Sequence, residues 1–127
     1  MSHKDEVKKW WNSDKTKKWH SITADKNHKG FYHYSVRREK TINFIKSLNL
    51  SPDSKILELG FGSGDAAEDI LKLGYNYFGM DISAHLCDFA SDRFKDQVKD
   101  NKAVFINQSL EEKYPFEDNY FDAVFVC

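Results

Sequence analysis

Cysteine, proline and glycine are all scarce in this chain of 127 residues, at 2, 2 and 6. The two cysteines, Cys87 and Cys127, stand far apart and form no metal-ligand or redox spacing. A disulfide framework and a cysteine metal centre are therefore excluded as organising devices, and no metal site is expected. No apolar run approaches the length needed to span a bilayer. The opening Met-Ser-His-Lys-Asp-Glu has no apolar stretch of the secretory kind, so reduced thiols in a cytoplasm are the expectation. Net charge is nearly absent too, at −1. That small value hides an asymmetry: residues 1–50 hold 12 Lys+Arg against 5 Asp+Glu, and residues 51–127 hold 7 against 15. A basic front section suits RNA or another anionic acceptor. The plainer reading is a solvated, Lys-rich surface.

What is present suffices for one small domain, with 40% apolar and 15% aromatic residues. All three tryptophans, Trp10, Trp11 and Trp19, fall in the first thirty residues. A short helix over 5–11 is expected, with 12–30 irregular. Tryptophans this concentrated pack on something, so residues 1–34 read as an arm or lid over the domain at 35–127. Val36, Ile42, Ile45 and Leu48 recur near helical spacing and predict a helix over 35–48. Ser51-Pro52-Asp53-Ser54 is turn chemistry.

Strands are then expected at 55–59, 75–81, 103–106 and 121–127. Helices are expected between the first three, at 65–73 before Gly74 and from the cap Ser83 to about 99. The second of these should bury Leu86, Phe89, Ala90 and Phe94. Strands alternating with helices predict a Rossmann-like parallel α/β sheet sandwiched by helices. The fourth strand has no crossover after it, which would leave an open sheet edge. The expectation is a fold truncated after that strand.

The densest stretch is Ile56-Leu57-Glu58-Leu59-Gly60-Phe61-Gly62-Ser63-Gly64-Asp65. An apolar strand ends in an acid and runs into three glycines at alternate positions. Bare backbone then faces whatever sits beyond the strand end, where open α/β sheets bind ligands. A dinucleotide fingerprint requires Gly-x-Gly-x-x-Gly. Only Gly62-x-Gly64-x-x-Ala67 matches it formally, and Asp65 would set a negative charge where pyrophosphate meets a helix start. An NAD-type oxidoreductase is therefore the weaker alternative.

Glu58-x-Gly60-x-Gly62-x-Gly64, with its strand, resembles the first motif of the class I S-adenosylmethionine-dependent methyltransferases. That cofactor carries an ammonium and a sulfonium and no phosphate, which suits an acidic strand end. Two later segments resemble the family in order: Phe78-Gly79-Met80-Asp81-Ile82-Ser83 and the stretch from Pro115 to Phe125. The resemblance implies that Glu58, Gly60, Phe61, Gly62 and Gly64 cradle S-adenosylmethionine. It implies that Asp81 takes both ribose hydroxyls, which two carboxylate oxygens can accept, and that Ile82 lies against the adenine. The plainer role for Asp81 is a cap of the next helix. Gln108 stands where relatives often have an acid for the adenine amino group, and Ser109 or Leu110 would offer a backbone N–H. Phe121 reads as packing and Asp122 as a strand-edge acid. In the arm, Tyr34 or Arg37 would reach the cofactor carboxylate, or else Tyr34 staples the arm while Arg37 and Arg38 are solvated. His33 is a weak candidate base, and His85 reads as exposed on a helix. A small-molecule methyl acceptor is expected. A cofactor-binding module without catalysis of its own is the third reading.

Overall fold

The computed structural model describes every residue except Lys17 and the side chain of His20. Four strands form one parallel sheet: β1 (Lys55–Leu59), β2 (Asn76–Asp81), β3 (Ala103–Asn107) and β4 (Ala123–Phe125), in the order β3-β2-β1-β4. The chain steps outward from β1 to β3 and then jumps back to the other side of β1. That reversal opens a crevice at the strand ends, the usual ligand position in such sheets.

Helices α3 (Phe31–Ser47), α4 (Asp65–Lys72) and α5 (Ala84–Arg93) share one apolar cluster with the sheet. Ile42 and Ile45 come from α3, Ala67 and Ile70 from α4, and Cys87 and Ala90 from α5. Period-two alternation brings Ile56, Tyr77 and Ala123 to that face in one cross-strand row. Glu58 follows in the next row, between Gly79 and Phe125. On the opposite face Phe78 meets the rings of Phe116, Tyr120 and Phe121, as expected for Phe121. Val124 and Val126 stay exposed there. Asp122 accepts the Lys55 N–H through Oδ2 at 2.8 Å and so pins the start of β4 beside β1.

Several boundaries differ from the sequence expectation. Helix α1 (His3–Trp11) starts earlier, because Ser2 and Asp5 form a reciprocal capping box. A further helix, α2 (Trp19–Ala24), lies in the stretch expected to be irregular. Helix α3 begins at Phe31 and not at 35, since Phe31, Tyr34, Arg38, Ile42 and Ile45 continue one inward stripe. The expected boundary between arm and domain thus falls inside a helix. The long helix expected after Ser83 breaks at Phe94, giving α5 and α6 (Lys95–Lys99). Phe94 leaves helical geometry, with φ −111° and ψ 32°, as its ring stacks on Phe105. Phe89 is 40% exposed and not buried, and Leu48 is also exposed. Strand β4 is only three residues long. Among the described residues no helix is long and apolar enough to cross a membrane.

Candidate functional site

Beyond β1 and β2, beneath the arm, lies a cavity of about 790 Å³. The β1–α4 turn and the end of β2 supply Glu58, Gly60, Phe61, Gly62, Asp81 and Ile82 to its wall. The arm and α3 add Trp11, Trp19, Tyr34 and Arg37, and the loop after β3 adds Ser109 and Leu110. The structure thus gathers most of the expected residues around one space. Gly64, Gln108 and His33 are not among them.

The three glycines share a left-handed backbone, with φ of +72°, +58° and +87° at Gly60, Gly62 and Gly64. Their surroundings differ. A Cβ on Gly60 would meet nothing within 4 Å, so this is the bare stretch open to a ligand. On Gly62 it would stand 3.1 Å from the Trp19 indole nitrogen. On Gly64 it would stand 2.9 Å from the Phe94 ring, so that glycine serves core packing.

Every glycine N–H in the turn is engaged. Gly60 donates to the Met80 carbonyl at 2.7 Å, Gly62 to Asp81 Oδ2 at 3.0 Å, and Gly64 to the Phe61 carbonyl at 3.1 Å. The three glycine N–H groups are thus unavailable to a pyrophosphate, although α4 itself begins without a side-chain cap. Asp65 does not act as anticipated. Its carboxylate pairs with Arg93 at 2.8 Å and accepts from Thr23 at 2.9 Å, so it is not an open charge at the helix mouth. The case against a phosphate ligand passes to the engaged glycine N–H groups and to Glu58 and Asp81 on the cavity wall.

Asp81 ends β2 and is 7% exposed. Its Oδ2 accepts from Gly62 N–H, and its Oδ1 accepts from Ser83 N–H at 2.9 Å. Each oxygen keeps a second lone pair. Burial raises its pKa above the usual carboxylate value, while the N–H donors from Ser83 and Gly62 pull it down. The capping role is real as well, since Asp81 holds the turn before α5, where Ser83 Oγ accepts from Leu86 N–H. Gln108 donates its amide N–H to the Lys113 carbonyl at 2.8 Å, which ties down the loop after β3.

Glu58 is 1% exposed. Tyr77, fully buried on β2, donates its hydroxyl to Glu58 Oε1 at 3.1 Å. Gly79 makes room for this pair: a Cβ there would fall 2.8 Å from the Tyr77 oxygen and 2.6 Å from the Phe61 ring. Oε2 of Glu58 is buried without a hydrogen-bond partner among the described residues. Burial pushes the Glu58 pKa up to about 8, aided by the charges of Asp81 and Asp65 and opposed by the Tyr77 hydroxyl and Arg38. Burial likewise drives the Tyr77 hydroxyl well above its ordinary value.

The arm closes one side. Edge-to-face ring contacts run from Trp10 to Trp11, Trp19 and Tyr34, with centroids 4.7, 5.7 and 5.7 Å apart. Arg37 lies over the Tyr34 ring at 5.4 Å. Arg38 is not solvated as one reading had it, because it pairs with Asp69 on α4. His33 is exposed and stands edge-on to Tyr32, outside the cavity. His85 corrects another expectation. It is half-buried on α5, with Nε2 2.9 Å from Thr16 Oγ1.

Sequence reasoning missed three anchors. Asn12 accepts the Ala84 N–H at 2.7 Å and so caps a helix seventy residues away. Thr16 is 1% exposed and binds the Trp11 carbonyl at 2.7 Å. Arg93 donates to the Ser63 carbonyl at 3.1 Å and fixes the glycine turn from behind. Asn12, Arg93 and, through His85, Thr16 act on partners distant in sequence, so no local pattern marks them.

A parallel sheet of order β3-β2-β1-β4 with an acid-glycine turn and a second acid one strand later fits the class I methyltransferase fold. Residues 56–127 match the family described as "Methyltransferase domain", more than half of the chain, and the chain belongs to that family. No curated protein matches it by sequence. Among solved structures it is similar to magnesium protoporphyrin IX methyltransferase from Synechocystis PCC 6803 with bound SAM. The TM-score is 0.81 at 17% identity, over 99% of this chain and 62% of that one. It is also similar to geranyl diphosphate C-methyltransferase from Streptomyces coelicolor A3(2), solved with S-adenosyl-L-homocysteine. There the TM-score is 0.67 at 16% identity, over 99% of this chain and 54% of that one. The chain thus spans little more than half the length of these proteins.

Proposed function

We propose that the chain binds S-adenosylmethionine and forms the cofactor half of a methyltransferase acting on a small-molecule acceptor. The observation that carries this is Glu58, which lines the cavity and whose buried Oε2 has no hydrogen-bond partner among the described residues. A buried acceptor without a donor is costly. An ammonium supplies the donor and the charge, whereas a pyrophosphate supplies neither. When bound, the cofactor contributes a methyl group already activated by its sulfonium.

The rest is the work of the chain's own residues. Asp81 uses its remaining lone pairs for the vicinal ribose hydroxyls, and Ile82 offers an apolar surface to the base. Ser109 or Leu110 presents backbone to the adenine edge, with Gln108 behind them. Tyr34 and Arg37 face the cofactor carboxylate from the arm. Trp11 and Trp19 cover the turn and exclude water, which strengthens each polar contact inside. In-line transfer needs positioning above all, and among the described residues no histidine lines the cavity. A space of this size fits small ligands, which favours a small metabolite over RNA as acceptor. The free thiols of Cys87 and Cys127 suit a reducing cytoplasm.

Calorimetric titration tests the reading. Micromolar binding of S-adenosylmethionine and S-adenosylhomocysteine is expected, with none for NAD; binding of NAD alone overturns it. Asp81→Ala should weaken cofactor binding by roughly 1.5–3 kcal/mol per lost bond.

A further inference from the structure

Glu58 lines the cavity at 1% exposure, with a partner on one oxygen and none among the described residues on the other. An ionised carboxylate in that position has only the Tyr77 hydroxyl and the charge of Arg38 to offset its burial. We propose that Glu58 carries a proton until an ammonium reaches the cavity and then releases it, so that one cation replaces another on the same buried carboxylate. The inference rests on the cofactor reading above and deepens it.

The geometry supports an exchange and not simple attraction. Tyr77 donates to Oε1 at 3.1 Å, which leaves Oε2 as the position that holds either a proton or an incoming N–H. Charged and titratable groups approach from every neighbouring element: Tyr77 and Asp81 on β2, Asp65 at the start of α4, Arg38 on α3, and Cys127 after β4. Asp65 and Arg38 are committed elsewhere, to Arg93 and Asp69. Asp81 is a second acid at the same wall and disfavours a second negative charge. With the carboxyl at about 8, the ligand-free protein holds this proton at neutral pH. The step balances simply: the carboxyl O–H breaks, its proton passes to buffer, and an ammonium N–H takes its place on Oε2.

Calorimetry in buffers of different ionisation enthalpy counts the protons. S-adenosylhomocysteine carries the amino acid group, and 5′-methylthioadenosine lacks it while keeping the ribose and adenine. At pH 6.5 an α-amino group is charged, so the first ligand should release close to one proton from the full chain and the second almost none. Any proton lost from Asp81 is common to both ligands and cancels in the comparison. Affinity for S-adenosylhomocysteine should fall about tenfold per pH unit from pH 7 to 5.5, with methylthioadenosine nearly flat. Glu58→Gln should abolish the difference between the ligands. Tyr77→Phe removes a hydrogen bond that favours the carboxylate, so it should move the pH at which release is half complete upward. Binding of S-adenosylhomocysteine to wild type without proton release overturns the proposal, as does release that persists in Glu58→Gln or a Tyr77→Phe midpoint that moves down. Failure of both adenosine ligands to bind overturns the cofactor reading itself.

Discussion

Gly60 and Gly64 share a positive φ, yet a side chain at each would meet different neighbours. Gly60→Ala adds a Cβ in open space and should cost about 1–2 kcal/mol through its φ alone. The same Cβ fills the bare stretch and should abolish cofactor binding. Gly64→Ala drives a Cβ onto Phe94. It should lower stability by roughly 2–4 kcal/mol, strain and overpacking together, while the folded fraction keeps its cofactor affinity. Thermal denaturation paired with ligand titration separates the two. Glu58 gives a second prediction. Its folded pKa lies near 8, above the ordinary 4.5. The fold therefore holds this proton more tightly than the unfolded chain does. The stability associated with it is complete below pH 4.5 and is lost as pH rises towards 8. Glu58→Gln should flatten that slope and stabilise the ligand-free protein at pH 7 by on the order of 3 kcal/mol, read by denaturant titration. The glycine spacing and the two acids were legible in the sequence because they are local. The Tyr77–Glu58 pair was not, since it depends on the β1–β2 register and on the space left by Gly79.

At the scale of elements, the strands β1 to β3 and helices α4 and α5 were readable from apolar periodicity and turn residues. The arm was not, because its order comes from distant partners. Helix α2 has no side-chain cap of its own, and its Trp19 is set against Gly62 and Tyr34. Asn12 and Thr16 tie the segment between α1 and α2 to the start of α5. Asn12→Ala removes a cap and should cost about 1 kcal/mol. Most of that cost should fall on the arm. Limited trypsin digestion should cut the variant faster at the exposed Lys15, while the segment from β1 to β3 stays resistant. Equal rates for both proteins would mean that the arm is held by its ring contacts alone.

The whole molecule is uneven in how its sheet is covered. Among the described residues three helices seal one face, and the other carries the aromatic loop around Phe78. At the β4 edge, Val124 is 55% and Val126 is 70% exposed. The alternation of strands and helices made the sheet predictable from sequence. Which face would be left bare was not, because coverage depends on where the connecting segments pack and not on the strands themselves. The same unevenness has an optical side. All three tryptophans belong to the arm and none to the core, with the indole of Trp19 resting on the glycine turn. Intrinsic tryptophan emission therefore reports the arm alone, and it makes arm movement and ligand arrival visible in solution without any attached dye.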